Sequence, residues 1–162
     1  MNGPNPATTP CPVGWLLKSS DAKLLWVLRL VAGLPLLFFG ILHFIKLAAF
    51  AQILIASGLP FVEFNKFAAP ALEVLAGLLL IPGFLSRLGG LLAVLTMGPA
   101  IYGTFAIQAL SPDQLPPGLE KIPQVPPLAV PIVILLIGLL LGILGGGGYS
   151  VDRKLCRDRQ DR

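Results

Sequence analysis

The sequence predicts an all-α integral membrane protein in which four transmembrane helices form an antiparallel bundle, with a short interfacial or re-entrant segment between the first and second helices. Composition is the first reason: 55% of the 162 residues are hydrophobic, only 12% are charged, and the mean hydropathy is +0.82. Such values lie outside the usual range of soluble domains. The second reason is that the apolar residues form four runs, each close to the ~20 residues with which a helix crosses a hydrocarbon core of ~30 Å.

We expect one transmembrane domain over residues 24–148, flanked by two tails. Its spans are predicted at about 24–46, 66–85, 88–110 and 128–148. Residues 47–65 are too apolar for an ordinary loop and contain a Gly-Leu-Pro turn, which favours the interfacial or re-entrant segment. Prolines among small polar residues predict a disordered or extended tail over residues 1–23, and residues 149–162 form a charged tail.

The distribution of basic residues predicts the orientation in the membrane. With four spans both termini lie on one side, together with Lys23, Arg87 and the basic residues of the C-terminal tail. Lys46, Lys66 and Lys121 lie on the other side, where the proline-rich stretch 111–127 forms an irregular outer loop. Because cytoplasmic loops carry the excess of lysine and arginine, both termini are predicted to be cytoplasmic.

Several classes of function are disfavoured by what the chain lacks. The net charge of +4 comes mostly from the termini, and no aromatic residues interleave with basic ones, so a nucleic-acid partner is not expected. Cys11 and Cys156 stand in opposite tails, and one histidine cannot complete a zinc site with them, so neither dithiol chemistry nor a metal is predicted. No nucleophile with its base and no phosphate loop can be assembled, so no catalytic residue and no resident cofactor are predicted, and an autonomous enzyme is disfavoured.

Glu73 is the most informative residue, because it lies well inside the second predicted span. Ionising it while it faces lipid would cost roughly 2.5–3.5 kcal/mol, so it is expected to face protein. Ala69, Glu73 and Gly77 recur at intervals of four residues, with Ala76 beside them, and form one small-residue face on which another helix can approach closely. Two interpretations stay open: a buried glutamate that locks two helices together, or a site for a ligand, a proton or an ion.

The first span carries a matching polar face. Arg29, Gly33, Leu36, Gly40 and His43 follow one another at steps of four, three, four and three residues, which places them on one side of a helix. In the predicted threading His43 lies near the outer end of this helix, and Glu73 lies ~10 Å inward from the outer end of the second.

Depth therefore favours a pair of Glu73 and His43 facing the outer half of the membrane. Arg29 lies near the inner end, roughly 12 Å in depth from Glu73 if the core is ~30 Å thick. We expect Arg29 to extend inward, toward lipid phosphate, Asp21 or Asp152.

Glycines mark the expected contacts between helices, because small residues allow helix backbones to approach closely. The six predicted packing positions are Gly33, Gly40, Gly77, Gly138, Gly142 and Gly146. The last three form a doubled GxxxG motif, whose face packs either inside the bundle or between subunits.

These residues belong to a longer pattern over residues 24–104. It comprises Arg29 with Gly33, Gly40 and His43, the turn Gly58-Leu59-Pro60, and Glu73 followed by Gly77-Leu78-Leu79-Leu80, Gly83 and Arg87. On this pattern the chain resembles the DoxX family of small four-helix bacterial membrane proteins. The tails and the proline-rich loop lie outside it, and the fourth span matches only as an apolar run.

The resemblance implies a multi-pass protein of the bacterial cytoplasmic (inner) membrane. Some relatives are associated with membrane oxidoreductase assemblies, including thiosulfate and quinone chemistry, or with partners in oxidative-stress defence, whereas others have no assigned activity. It singles out Glu73, His43 and Arg29, but it brings no catalytic mechanism that can be carried over to them.

Three functions are open at this point. The first is a non-catalytic or auxiliary subunit of a larger membrane assembly, redox or quinone-linked, with a polar pocket around Glu73 and His43 that holds a quinone headgroup or another small amphiphile. The second is a small proton-coupled transporter that uses Glu73 as its titrating group. The third is a structural subunit that docks to a partner membrane protein, or to another copy of itself, through the face of Gly138, Gly142 and Gly146.

Overall fold

The computed structural model describes residues 23–152 and residue 154, and this part of the chain contains helices and no strands. The α-helices are α1 (Leu25–Ile45), α2 (Leu47–Ala56), α3 (Val62–Leu80), α4 (Ser86–Gln108) and α5 (Ala129–Leu144). A single 3-10 turn, Pro112–Gln114, lies in the proline-rich segment between α4 and α5. The predicted N-terminal tail and most of the C-terminal tail lie outside the described residues.

The helices agree with the apolar runs, with shifted bounds. The second predicted span, 66–85, corresponds to α3, which begins at Val62 and ends at Leu80, just before Pro82 and Gly83. The fourth predicted span, 128–148, is shorter as a helix and ends at Leu144, because Gly145 adopts a positive φ of 81° that terminates the helical backbone. The apolar segment between the first two spans forms α2, a helix of 10 residues that begins two residues after α1 ends.

Two close helix pairs make the core. The first joins α1 to α3, the second joins α4 to α5, and α3 links the two by packing on α4. Between the pairs lies a core of aliphatic side chains that includes Leu36, Leu80, Met97, Ile134 and Leu141. The direct contact between α1 and α5 is much less extensive than either pair, and a cavity lies between these two helices.

The outward faces of the helices are apolar. Phe38 on α1, Leu95 and Phe105 on α4, and Leu136 on α5 are all more than half exposed. Two of the described helices, α1 and α4, are long and apolar enough to cross a membrane. Helix α3 carries three charged residues, and α5 has only 16 residues, so neither meets the same criteria. The four crossings expected from the sequence stay a prediction.

Candidate functional site

A cavity of about 130 Å³ lies among the helices, partly open to the surroundings. Side chains from all five helices line it, and Val125 and Pro126 from the proline-rich segment line it as well. Most of the lining is aliphatic or aromatic. One water molecule occupies roughly 10–15 Å³ by this measure, so the cavity has room for a group of several heavy atoms.

The polar end of the cavity consists of His43 on α1 and Glu73 on α3. The Nδ1 atom of His43 lies 3.0 Å from Oε2 of Glu73, within hydrogen-bond distance. The side chain of Glu73 is only 7% exposed and that of His43 is 22% exposed. The two residues that the depth argument placed together are therefore in contact; their functional role is a separate question.

A glycine explains why these side chains can meet. Gly40 on α1 lies directly against α3, where a β-carbon would come within 2.9 Å of the backbone nitrogen of Val74 and 3.0 Å of Cβ of Glu73. Only a residue without a side chain allows this separation. Because Gly40 lies one turn before His43, the close approach of the helices brings the imidazole beside the carboxylate.

Aromatic rings hold the imidazole in place. The ring of Phe50 on α2 stacks on that of His43 with centroids 4.1 Å apart and an interplanar angle of 18°. The ring of Phe39 lies further away, at 6.4 Å and 29°. Phe50 is buried, so α2 places an apolar wall against the polar pair. This role of α2 was not predicted, because Phe50 carried no signal beyond its apolar character.

Three hydroxyl groups also line the cavity: those of Ser57, Thr96 and Thr104. Ser57 Oγ donates to the carbonyl of Leu54 at 2.8 Å, and Thr96 Oγ1 donates to carbonyls one turn back in α4 at 3.1 and 3.2 Å. No functional role was predicted for these three residues, because a serine or threonine that faces its own helix backbone looks the same in sequence as one that faces a cavity.

Arg29 is not part of this site. It lies 14 residues before His43 on the same helix, about 21 Å along the axis at 1.5 Å per residue. Of its three expected partners, lipid phosphate does not fit this structure, since Arg29 is only 3% exposed, whereas Asp152 lies close enough to interact with it electrostatically. Its Nη2 atom donates to the carbonyl of Tyr149 at 2.6 Å, while Nε and Nη1 have no hydrogen-bond partner among the residues that the structure describes. Asp21, one of the expected partners, lies outside those residues.

A second polar cluster surrounds Arg29, near the start of α1 and the start of α4. Asp152 interacts electrostatically with Arg29 and is itself 1% exposed. Its carboxylate accepts hydrogen bonds from the backbone nitrogens of Leu85 and Ser86, at 2.6 and 2.9 Å, and from Ser86 Oγ at 2.9 Å. Gly83 completes the cluster, because a β-carbon there would overlap the guanidinium. The first residues of the predicted solvated tail are thus packed into the fold.

The predicted packing glycines occupy two helix contacts. On the first, a β-carbon at Gly77 would lie 2.8 Å from the carbonyl oxygen of Gly33, so α1 and α3 meet backbone to backbone. On the second, Gly138 lies against the carbonyl of Gly90 on α4, and Gly142 lies near Leu91 of the same helix. The doubled GxxxG face therefore packs inside the molecule, where α4 covers it. In this structure the face is therefore not free to dock a partner.

Comparison with known proteins gives the family. A family model described as DoxX matches residues 24–109, more than half of the chain. The chain belongs to the DoxX family. This DoxX protein is accordingly a membrane protein, in keeping with its apolar helices, and its outward faces contact the lipid bilayer. The matched region includes Arg29, His43 and Glu73, and ends before the proline-rich segment and α5.

No curated protein and no solved structure matches the chain. Among the described residues, no group of three or more histidine, cysteine, aspartate or glutamate side chains is placed to hold a metal ion. The family and the geometry of the cavity are therefore the two sources for a functional proposal.

Proposed function

We propose that this DoxX protein crosses the bacterial inner membrane four times and serves as a non-catalytic, auxiliary subunit of a larger membrane assembly, redox or quinone-linked. Its own contribution is to hold a small lipid-soluble molecule in the cavity beside His43 and Glu73. The observation that carries the proposal is the hydrogen-bonded pair of His43 and Glu73 at the polar end of an otherwise apolar cavity.

The chemistry of the cavity supports an amphiphilic occupant. Binding sites for small molecules are mostly apolar, with a few polar groups that orient the ligand. Here Leu36, Met97 and Ile134 offer contact to an apolar body, and the carboxylate and imidazole offer hydrogen bonds to a polar end. A quinone headgroup has these two properties, and so do other small amphiphiles.

Helix lengths support four crossings. Helix α3 has 19 residues and α5 has 16, which correspond to about 28 and 24 Å. A hydrocarbon core of ~30 Å adapts to helices slightly shorter than itself by local thinning. The charges of α3 do not oppose a crossing, since Glu63 and Lys66 pair in its first two turns and Glu73 pairs with His43. Both termini are then cytoplasmic, as the basic residues predict.

The role within an assembly rests on the family resemblance, because relatives occur with membrane oxidoreductases. A partner protein or a second copy of this chain belongs to this part of the proposal. This part is independent of the cavity, because a bound partner protein and a bound small molecule give different masses in the measurement described next.

Native mass spectrometry of the protein released gently from membranes tests both parts. We expect a lipid-soluble molecule bound to the wild type and lost from Ala100→Phe, whose larger side chain fills the cavity that Ala100 lines. Leu95→Phe is the matched control, because Leu95 is on the same helix and faces outward. A spectrum with neither a bound molecule nor a partner protein would contradict the proposal.

A proton-coupled transporter is the second candidate, favoured by the same pair of proton-exchanging side chains. Helix-buried carboxyl groups serve such roles in membrane proteins. Proton-coupled flux in proteoliposomes that is abolished by Glu73→Gln would favour it, and flux that is unchanged by this substitution would exclude Glu73 as the titrating group.

A further inference from the structure

The hydrogen-bonding groups that line the cavity point to the class of its ligand. We infer that the ligand carries a hydroxyl group at its polar end, as a phenol or an alcohol does, and donates that hydrogen to Glu73. The inference rests on the proposed function and narrows it, because it distinguishes ligands that donate a hydrogen bond from ligands that only accept one.

Two of the three hydroxyl groups that line the cavity, those of Ser57 and Thr96, have already committed their hydrogens, whereas the hydroxyl of Thr104 can either donate or accept. Ser57 Oγ donates to the Leu54 carbonyl, and Thr96 Oγ1 donates to the carbonyls of Leu92 and Ala93. A hydroxyl has one hydrogen to donate and two lone pairs that accept. In this arrangement Ser57 and Thr96 therefore offer a ligand only acceptor positions.

Glu73 offers another acceptor. Its Oε2 atom is engaged with His43, and among the described residues Oε1 has no hydrogen-bond partner although the side chain is 7% exposed. If the carboxylate is ionised, Oε1 accepts; if a proton lies on Oε2 and is shared with the imidazole, Oε1 is a carbonyl oxygen and still accepts. Oε1 therefore needs a donor whenever the proton lies on His43 or on Oε2; a proton on Oε1 itself would make this atom a donor, and a hydroxyl group on the ligand would then accept from it.

His43 adds a ring nitrogen, Nε2, that is a donor or an acceptor depending on where the imidazole carries its protons. Its Nε2 atom also has no partner among the described residues. In the neutral tautomer whose Nδ1–H donates to an ionised Glu73, Nε2 is an acceptor. In the imidazolium form, and in the neutral tautomer whose Nδ1 accepts a hydrogen bond from a protonated Glu73, Nε2–H is a donor. A hydroxyl group can donate to Oε1 and can also accept from Nε2, so it suits every protonation state.

A ligand that only accepts hydrogen bonds would leave Oε1 of Glu73 buried against it without a donor. An unsatisfied buried acceptor of this kind weakens binding by about 5- to 150-fold. In a quinone whose ring has no hydroxyl substituent, reduction converts the carbonyl groups into hydroxyl groups, so only the reduced forms can donate a hydrogen bond. The site is thus expected to prefer the reduced form to the oxidised one.

Binding of 4-heptylphenol and of its methyl ether to the purified protein in nanodiscs tests this inference. The two probes share one apolar body, and in the ether a methyl group replaces the hydrogen that the phenol can donate. We expect the phenol to bind the wild type at least about fivefold more tightly than the ether. In Ala100→Phe the larger side chain fills the cavity, so the remaining signal comes from partitioning of the probes into the lipid. This signal is subtracted from that of the wild type.

Variants at two glutamates locate the effect. Glu73→Ala is expected to abolish the preference for the phenol, whereas Glu63→Ala, on the same helix but 84% exposed at its side chain, is expected to leave it unchanged. Equal affinity of the wild type for the two probes would overturn the inference while leaving a cavity that binds amphiphiles. Absence of cavity-dependent binding for both probes would overturn the proposed function and the inference with it.

Discussion

At the scale of single residues, the most informative contact is one hydrogen bond between α1 and α3, made by two side chains that are 30 residues apart in sequence. The side chain of Glu73 is almost fully buried, and an aromatic ring covers one face of His43. An unpaired polar group in such surroundings is unfavourable. The pair therefore has a structural role whatever the ligand is, and this role can be measured separately.

A double-mutant cycle of His43→Ala and Glu73→Ala isolates the energy of the pair. We expect a coupling free energy of about 1–2 kcal/mol, within the range of hydrogen bonds between membrane helices. The exposed ion pair of Glu63 and Lys66 provides the control cycle, for which about 0.3–0.5 kcal/mol is expected. Unfolding in detergent micelles measures both cycles. Additive effects of the His43 and Glu73 substitutions would contradict a direct interaction.

At the scale of helices, the N-terminus of α4 has no capping side chain from the adjacent sequence. The residue before it, Leu85, has a positive φ of 48° and supplies no side-chain cap. Asp152, 66 residues further along the chain, supplies the oxygen atoms that the first backbone nitrogens need. A carboxylate at this end also interacts favourably with the helix dipole. The chain segment after α5 thus stabilises the start of α4.

Removal of the Asp152 carboxylate is expected to destabilise the protein. In Asp152→Ala the backbone nitrogens of Leu85 and Ser86 lose their acceptors, and Arg29 loses a nearby negative charge. We expect a loss of about 1–3 kcal/mol in the free energy of unfolding, measured by thermal denaturation in detergent. Asp113→Ala, in the exposed 3-10 turn, is the matched control and should change little. Equal stability of the two variants would rule out the capping role.

Substitutions of single glycines test the two helix contacts one at a time. A β-carbon at Gly77 would lie 2.8 Å from backbone and side-chain atoms of α1, so Gly77→Ala should force α1 and α3 apart and cost about 1–3 kcal/mol. At Gly142 the nearest atoms lie 3.6 Å or more away, and Gly142→Ala should be neutral or stabilise the helix by up to about 1 kcal/mol. Thermal unfolding of both variants measures the difference. A more stable Gly77→Ala variant would contradict the close contact of α1 and α3.

At the scale of the whole molecule, the sequence was most informative about features that depend on local pattern. Apolar length located the helices, and helical spacing combined with depth brought His43 and Glu73 together. Among features that depend on a distant return of the chain, Asp152 was expected as one of three partners of Arg29, but the burial of Arg29 and the capping of α4 were missed. The burial of Arg29 and the capping by Asp152 require that the segment after α5 folds back against the start of α4, and no local signal in a charged tail indicates this. The early end of α5 at Gly145 follows from local backbone geometry, but a run of four glycines does not reveal which one ends the helix.

Labelling of single cysteines tests the predicted threading. With Cys11 and Cys156 replaced by serine, Lys121→Cys in the proline-rich segment should react with a membrane-impermeant maleimide in intact spheroplasts. Lys154→Cys should react only after the membrane is permeabilised, because both termini are predicted to be cytoplasmic. Both positions are exposed in the structure, so a difference in labelling reports the side of the membrane. Labelling of both in intact spheroplasts would contradict a crossing by α5, the helix that lies between the two positions.

The central claim is that the imidazole of His43 is hydrogen-bonded to the carboxyl group of Glu73 in the membrane-embedded protein. His43 is the only histidine in the chain, so protein labelled with ¹⁵N-histidine and purified without a histidine tag gives the imidazole signals of this residue alone. Solid-state NMR of this sample in lipid bilayers should show an Nδ1 resonance that moves when Glu73 is replaced by glutamine and stays in place when Glu63 is replaced by glutamine. An Nδ1 resonance that is the same in the wild type and in Glu73→Gln would contradict the claim.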